Sequence, residues 1–216
     1  MPLITALVPH PRRAGRVDVA VDGRSVGAVL VDAISALGLR VGTEFEPLRA
    51  AFEVERARLA TWDRATGLLA ARARSRVELR RLLIRKGEPV DQVDQVDRVL
   101  DRLEGAGYLD DADFARQFAR TKALGSGMSR RRVQQELARR GVDREIADAA
   151  IDEVFVEEAV SEIETVERLA RKKLRSLARF DEETRRRRLY GFLARRGFES
   201  EEIREVLHRL GQESPE

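Results

Sequence analysis

No proline interrupts the chain between Val90 and Ser214, and across that span Leu, Val, Ile and Ala recur at helical spacing. Proline removes an amide donor and clashes with the preceding turn, so a long proline-free stretch with this periodicity dictates helices joined by short loops. Glycines mark the joins, at Gly87, Gly105-Ala106-Gly107, Gly125-Ser126-Gly127, Gly141 and Gly197. Three segments end alike: Leu83-Ile84-Arg85-Lys86-Gly87, Leu137-Ala138-Arg139-Arg140-Gly141 and Leu193-Ala194-Arg195-Arg196-Gly197, with their glycines 54 and 56 residues apart. Four residues before each leucine stands another apolar residue, Leu79, Val133 or Leu189. Each repeat therefore predicts a helix with an apolar i, i+4 pair, cations in its last turn and a glycine stop, and an internal repeat of this length predicts an array of similar units.

Charge follows the same period. Residues 72–86 carry +6, 88–113 carry −7, 114–140 carry +7, 141–167 carry −9, 168–196 carry +9 and the tail from 197 carries −4. Folding each repeat brings opposite charges together, which stabilises it. The same pattern would also leave basic helix faces at intervals along an elongated molecule, suited to a repetitive acidic partner. With 37% charged and only 5% aromatic residues, many small helix-on-helix cores fit better than one broad core.

Ahead of the helical part, residues 16–30 predict a β-hairpin: Val17, Val19 and Val21 alternate, Asp22-Gly23 supplies the turn, and Val26, Val29 and Leu30 resume. Val31 to Leu37 predicts a short helix stopped near Gly38, and Thr43 to Arg58 a longer one with Phe45, Leu48, Phe52 and Leu59 on one face. Without cysteine there are neither disulfides nor thiolate metal sites, and the two histidines, His10 and His208, lie at opposite ends. The apolar run Met1 to Leu7 is too short for a signal peptide, no stretch is apolar enough to span a membrane, and a cytoplasmic location is expected. No phosphate-binding glycine loop, nucleophile motif or His–carboxylate pair occurs, so neither a catalytic residue nor a cofactor is expected and the protein is read as a non-enzyme.

Gly107-Tyr108-Leu109-Asp110-Asp111-Ala112-Asp113-Phe114-Ala115 is the sharpest local motif. Asp110 or Asp111 caps a new helix, and Tyr108 and Leu109 can pack back on its first turn. Its acids lack calcium-loop spacing, and no metal is expected there. Val160, Ile163, Val166, Ala170, Leu174 and Leu177 predict a long amphipathic helix, while Trp62 and Tyr190 are read as packing anchors.

Taken in order, Arg72-Ala73-Arg74-Ser75-Arg76-Val77-Glu78-Leu79, then Leu83 to Gly87, then Gly107 to Ala115 resembles the signature of the RecX family, with Ala73 where that family usually has proline. Ser129 to Gly141 resembles its second repeat and Arg188 to Gly197 its third, so the resemblance covers roughly residues 65–210. It implies an all-α chain of tandem three-helix repeats in an elongated array behind a small N-terminal β-hairpin. The expected division is an N-terminal segment over residues 1–64 and helical repeats over 65–124, 125–180 and 181–216.

The resemblance further implies a regulator, an inhibitor, of RecA that binds the RecA–DNA filament and modulates its ATPase and strand exchange in recombination and repair. The family motif residues are Arg74, Ser75, Glu78, Leu79, Gly87, Gly107, Tyr108, Leu109, Asp110, Asp111, Phe114 and Ala115. Candidate contacts to RecA or DNA are the basic residues Arg85, Lys86, Arg130, Arg131, Arg132, Arg139, Arg140, Lys172, Lys173, Arg187, Arg195 and Arg196. The arginine clusters also support an alternative, a helical module binding single- or double-stranded DNA directly and without sequence preference. A monomer that does not engage membranes is expected. Reversing Arg139 and Arg140 to Glu is expected to weaken filament inhibition without unfolding the chain.

Overall fold

Alternating valines do form the hairpin: β2 (Arg16–Val21) and β3 (Arg24–Leu30) pair antiparallel, with Val17 opposite Val29. Asp22 and Gly23 both take positive φ, 48° and 76°, the geometry whose twist matches a two-residue hairpin. The computed structural model describes residues 1–85 and 93–212, so Lys86, Gly87 and the join expected there lie outside the described residues. The chain divides into two compact units, Met1–Ala73 with Leu79–Tyr108, and Arg74–Glu78 with Leu109–Glu216.

In the first unit the sheet has one strand more than the hairpin, because β1 (Ile4–Pro9) pairs antiparallel with β2 and the order is β1-β2-β3. Its sequence, Ile-Thr-Ala-Leu-Val-Pro, sets three apolar residues side by side and ends in proline, so the alternation that marks a strand is lost. Ile4 is nonetheless buried with Val19, Val29, Phe45 and Phe52 in the core under the sheet.

Helix α1 (Val31–Ala36) stops before Gly38, which takes φ 63°. A short 3-10 turn leads into α2 (Arg49–Ala71), which buries Phe52 and Leu59 as the spacing requires and continues well past Arg58. Asp63 on α2 receives Arg13 at 2.9 Å and Arg16, so ion pairs as well as the apolar core dock the sheet. Helices α3 (Arg76–Arg85) and α4 (Val93–Gly105) bury Leu79, Leu83, Val96, Leu100 and Leu103, and Arg80 grips Asp97 at 2.6 and 3.0 Å. Half-buried Trp62 is an anchor, edge-on to Tyr108 at 5.9 Å and under the Arg102 guanidinium at 5.3 Å.

The second unit holds six further helices in two groups of three. Helix α5 (Asp111–Arg120), running into a π-turn over Thr121–Gly125, shares one core with α6 (Arg130–Arg139) and α7 (Arg144–Glu157): Phe114, Ala115, Ala119, Val133, Leu137, Ile151 and Phe155 meet there. Helices α8 (Glu162–Leu177), α9 (Glu182–Ala194) and α10 (Ser200–Gln212) share another, from Val166, Ala170, Leu189, Leu193, Phe198 and Ile203. Each fully buried aliphatic side chain contributes about 1.5–3 kcal/mol of transfer free energy, so the repeated i, i+4 pairs Val133/Leu137 and Leu189/Leu193 are principal core residues.

Polar caps fix where these helices begin. Asp110 accepts from the Asp113 amide at 2.8 Å, Ser129 from Arg132 at 3.2 Å, Ser161 from Glu164 at 3.3 Å and Asp181 from Thr184 at 2.8 Å. Of the pair placed before the α5 cap, Leu109 packs inward while Tyr108 stays exposed in the first unit. No helix among the described residues is long and apolar enough to cross a membrane.

Candidate functional site

Residues of the first and third signature blocks, far apart in sequence, meet each other and the end of the second repeat in space. Ser75, fully buried, caps α3 by accepting the Glu78 amide at 3.1 Å and donates its own hydroxyl to the Arg140 carbonyl at 2.5 Å. Asp111 reaches the Arg76 amide at 2.8 Å, so one Asp of the acidic motif caps the helix that opens with the basic motif, while its neighbour Asp110 caps α5. Gly141, at φ 77°, lies so close to Val77 that an added Cβ would sit 2.5 Å from the valine Cβ. The C-terminal carbonyls of α6 thus face the first-turn amides of residues 76–78, a head-to-tail meeting in which the orphan groups of both helix ends find partners.

The same joint recurs one repeat later. The Ser129 amide donates to the Arg196 carbonyl at 3.0 Å, and Glu162 accepts the Arg130 amide at 2.9 Å, as Asp111 does for Arg76. Gly197, at φ 92°, would put a Cβ 2.5 Å from both Arg132 Cβ and Ser129 Oγ. Serine cap, acidic cap from the following helix group, arginine carbonyl and glycine all return in equivalent places. The repeated Arg-Arg-Gly ending is therefore first a splice between helix ends.

That geometry sorts the candidate contact residues. Arg140 lies over the Phe118 ring at 4.4 Å and donates to the Glu136 carboxylate at 3.0 Å, with Glu78 3.9 Å away. Arg196 lies over Phe192 at 3.8 Å and donates to the Ser126 carbonyl at 3.1 Å; burial, then the charge of Arg195, lowers its pKa from the usual arginine value. Arg130 pairs with Asp152 and covers Phe155 at 4.5 Å. Arg131 meets the Gly197 carbonyl at 3.2 Å and Glu199 at 3.4 Å, and Arg132 meets Glu136 at 2.8 Å. Arg139 also reaches Glu136, at 3.2 Å, but its side chain is 64% exposed. The helix that carries Arg85 is in place, and Lys86 lies beyond the described residues. Arg140 is thus a joint residue as well as a cation, so the double reversal of Arg139 and Arg140 tests folding and surface charge together.

Glu136 is the hub for three of these arginines. Burial pushes its carboxyl up, but the Arg140 hydrogen bond and the charges of Arg132, Arg140 and Arg139 outweigh that and hold it below the ordinary glutamate value. A lowered folded pKa stabilises the fold above the unfolded value, near 4.3, and that contribution is lost as pH falls through the folded one. Thermal melts of wild type and E136Q are expected to differ at pH 7, with the gap closing as pH falls below the ordinary glutamate range and through the lowered folded value; a gap that stays unchanged on acidification would contradict the hub.

The third helical group treats its cations differently. Lys173 lies over Phe192 at 5.4 Å, and Arg179 and Arg188 over Phe180 at 4.9 and 3.8 Å. Arg168, Lys172, Arg175, Arg186, Arg187 and Arg195 are exposed and make no side-chain hydrogen bond or ion pair among the described residues. Lys172, Arg187 and Arg195 were among the candidates; Arg168 was hidden between Glu167 and Leu169, and only its helical spacing from Lys172 and Arg175 could have flagged it. Among the described residues no group of three or more His, Cys, Asp or Glu side chains is placed to hold a metal ion.

Of the family motif residues, Ser75, Glu78 and Asp111 build the first joint, Asp110 caps α5, and Leu109, Phe114 and Ala115 are core. Leu79 is buried, Gly107 takes the left-handed conformation at φ 73°, and Arg74 is half-buried. Gly87 is outside the described residues.

Three-helix groups joined by one recurring splice define a tandem helical-repeat protein. Residues 110–151 match the description "RecX, second three-helix domain" and residues 161–207 match "RecX, third three-helix domain". The chain is 42% identical over 151 residues to "Regulatory protein RecX" of Amycolatopsis mediterranei (strain U-32), covering 68% of this chain and 83% of that one. It is 39% identical over 132 residues to the protein of the same name from Mycobacterium avium (strain 104), covering 61% and 73%. Its fold is similar to that in "Crystal structure of regulatory protein RecX", with a TM-score of 0.73 at 21% identity over 96% of this chain and all of the other. It is also similar to that of RecX from Lactobacillus salivarius, at TM-score 0.55 and 18% identity over 72% and 97%. The chain belongs to the RecX family.

Proposed function

We propose that this protein regulates the RecA recombinase by binding the RecA–DNA filament and restraining its ATPase and strand exchange, a role in recombination and DNA repair. The observation that carries this reading is membership of a family whose matched relatives are named regulatory proteins. The fold is consistent with it: a splice repeated at Arg140-Gly141 and Arg196-Gly197 fixes each junction through hydrogen bonds and tight packing. Helix groups that recur along one chain can present similar surfaces to a partner that is itself a repeating polymer. The protein acts as a monomer, without a cofactor and without chemistry of its own.

Purified protein added to RecA on single-stranded DNA lowers ATP hydrolysis at substoichiometric to equimolar ratios and co-sediments with the filaments. Unchanged hydrolysis together with no co-sedimentation defeats the proposal.

A further inference from the structure

We infer that the cations of α8, with those at the start of α9, form a contact surface for the phosphate backbone of a nucleic-acid strand. This deepens the filament-binding reading by naming what part of a protein–DNA assembly the surface meets, and it rests on that reading only for its setting.

The second and third helical groups carry similar runs of arginine but spend them differently. In the second, Arg116, Arg120, Arg130, Arg132 and Arg140 all lie within ion-pairing distance of acids of their own group. Little of that charge is available to an outside anion. In the third, residues 168–180 contain six basic residues and no acid, and Arg168, Lys172 and Arg175 follow the i, i+4, i+7 spacing of a single helix face. These three are exposed and unpaired among the described residues, Arg186 of the adjoining helix is in the same condition, and Arg187 beside it is exposed with only the charge of Asp181 near it. The acids of α8 are confined to its first two turns, where Glu162 caps the Arg130 amide and Glu167 holds Arg209.

Chemistry selects nucleic acid over an acidic protein surface. The fully buried centre of a protein interface is typically apolar, rich in aromatic residues and depleted in lysine. Here Ile163, at the opposite end of α8, is the only large hydrophobic residue of α8 and α9 that is strongly exposed. One cation per helical turn, about 5–6 Å apart along the axis, can meet successive phosphates, which need only positive charge. With no exposed aromatic beside them these residues offer no stacking platform, so the contact would read backbone and not sequence.

The test measures fluorescence anisotropy of a labelled single-stranded oligonucleotide, titrated with salt, for the full chain and for R168Q/K172Q/R175Q. Gln is a good helix former, and circular dichroism checks that the helix content is kept. Wild type is expected to bind at low salt, and the triple variant to bind at least tenfold more weakly with a log–log salt slope reduced by about 2. R120Q, which removes an arginine paired with Glu157 and Glu158 within the fold, is expected to leave both nearly unchanged. No binding by wild type, or equal binding by the folded triple variant, overturns the inference. A triple variant that keeps its oligonucleotide affinity but no longer co-sediments with RecA filaments also overturns it, by assigning the face to protein. ATPase inhibition by wild type is scored separately, so failure of the filament reading and failure of this surface are distinguishable.

Discussion

Gly141→Ala and Gly197→Ala are expected to destabilise the fold by about 3 kcal/mol each. Both glycines hold a positive φ, 77° and 92°, which costs a residue with a Cβ about 1–2 kcal/mol. Both also have a neighbour where the Cβ would go: the Val77 side chain in one case, Arg132 Cβ and Ser129 Oγ in the other, each at 2.5 Å. Relieving that overlap requires moving a helix end, at about 1–3 kcal/mol. Thermal denaturation should show a drop of roughly 6–12 °C for each, at about 2–4 °C per kcal/mol in a chain of this size. Gly191→Ala serves as the control. Gly191 lies inside α9 without a positive φ, and its added Cβ would meet only the flexible tip of Arg195 at 3.3 Å, so the change is expected to be neutral or slightly stabilising. Wild-type stability in both joint variants would show that the helix ends do not abut as described.

Arg140→Glu and Arg139→Glu should separate sharply although the residues are adjacent. The Arg140 side chain is only 27% exposed, covers the Phe118 ring and shares the Glu136 carboxylate, with Glu78 also near. Reversal removes a cation–π contact and adds a third carboxylate beside two others, and a loss of about 2–3 kcal/mol is expected after allowing for partial exposure. The Arg139 side chain is 64% exposed where it reaches Glu136, and its reversal should cost no more than about 0.5 kcal/mol. Urea denaturation distinguishes the two. A filament-binding defect in R139E then reports a lost contact, whereas one in R140E is first to be explained by a loosened joint. Equal stability of the two variants would refute the splice role of Arg140.

Much of the local structure was legible from residue pattern alone. The Asp22-Gly23 turn, the cap at Asp110, and the buried pairs at Val133/Leu137 and Leu189/Leu193 all follow from short-range chemistry. Strand β1 escaped because an edge strand with adjacent apolar residues and a terminal proline leaves little periodic signal. The signature residues were identifiable by resemblance, but their contacts were not: Ser75 meets Arg140 across 65 positions, and no local pattern encodes that distance.

By itself, then, the sequence determined helices, their stops, the repeat and the alternation of charge, because these depend on neighbours within one or two turns. Tertiary structure alone decided which helices share a core, that the Arg-Arg-Gly ending closes on a serine-capped helix start, and which cations are consumed by ion pairs. Arg140 and Arg168 are the same residue type in similarly basic stretches. What separates them is the presence of Glu136, Glu78 and Phe118 around one and of solvent around the other, and only packing brings such partners together.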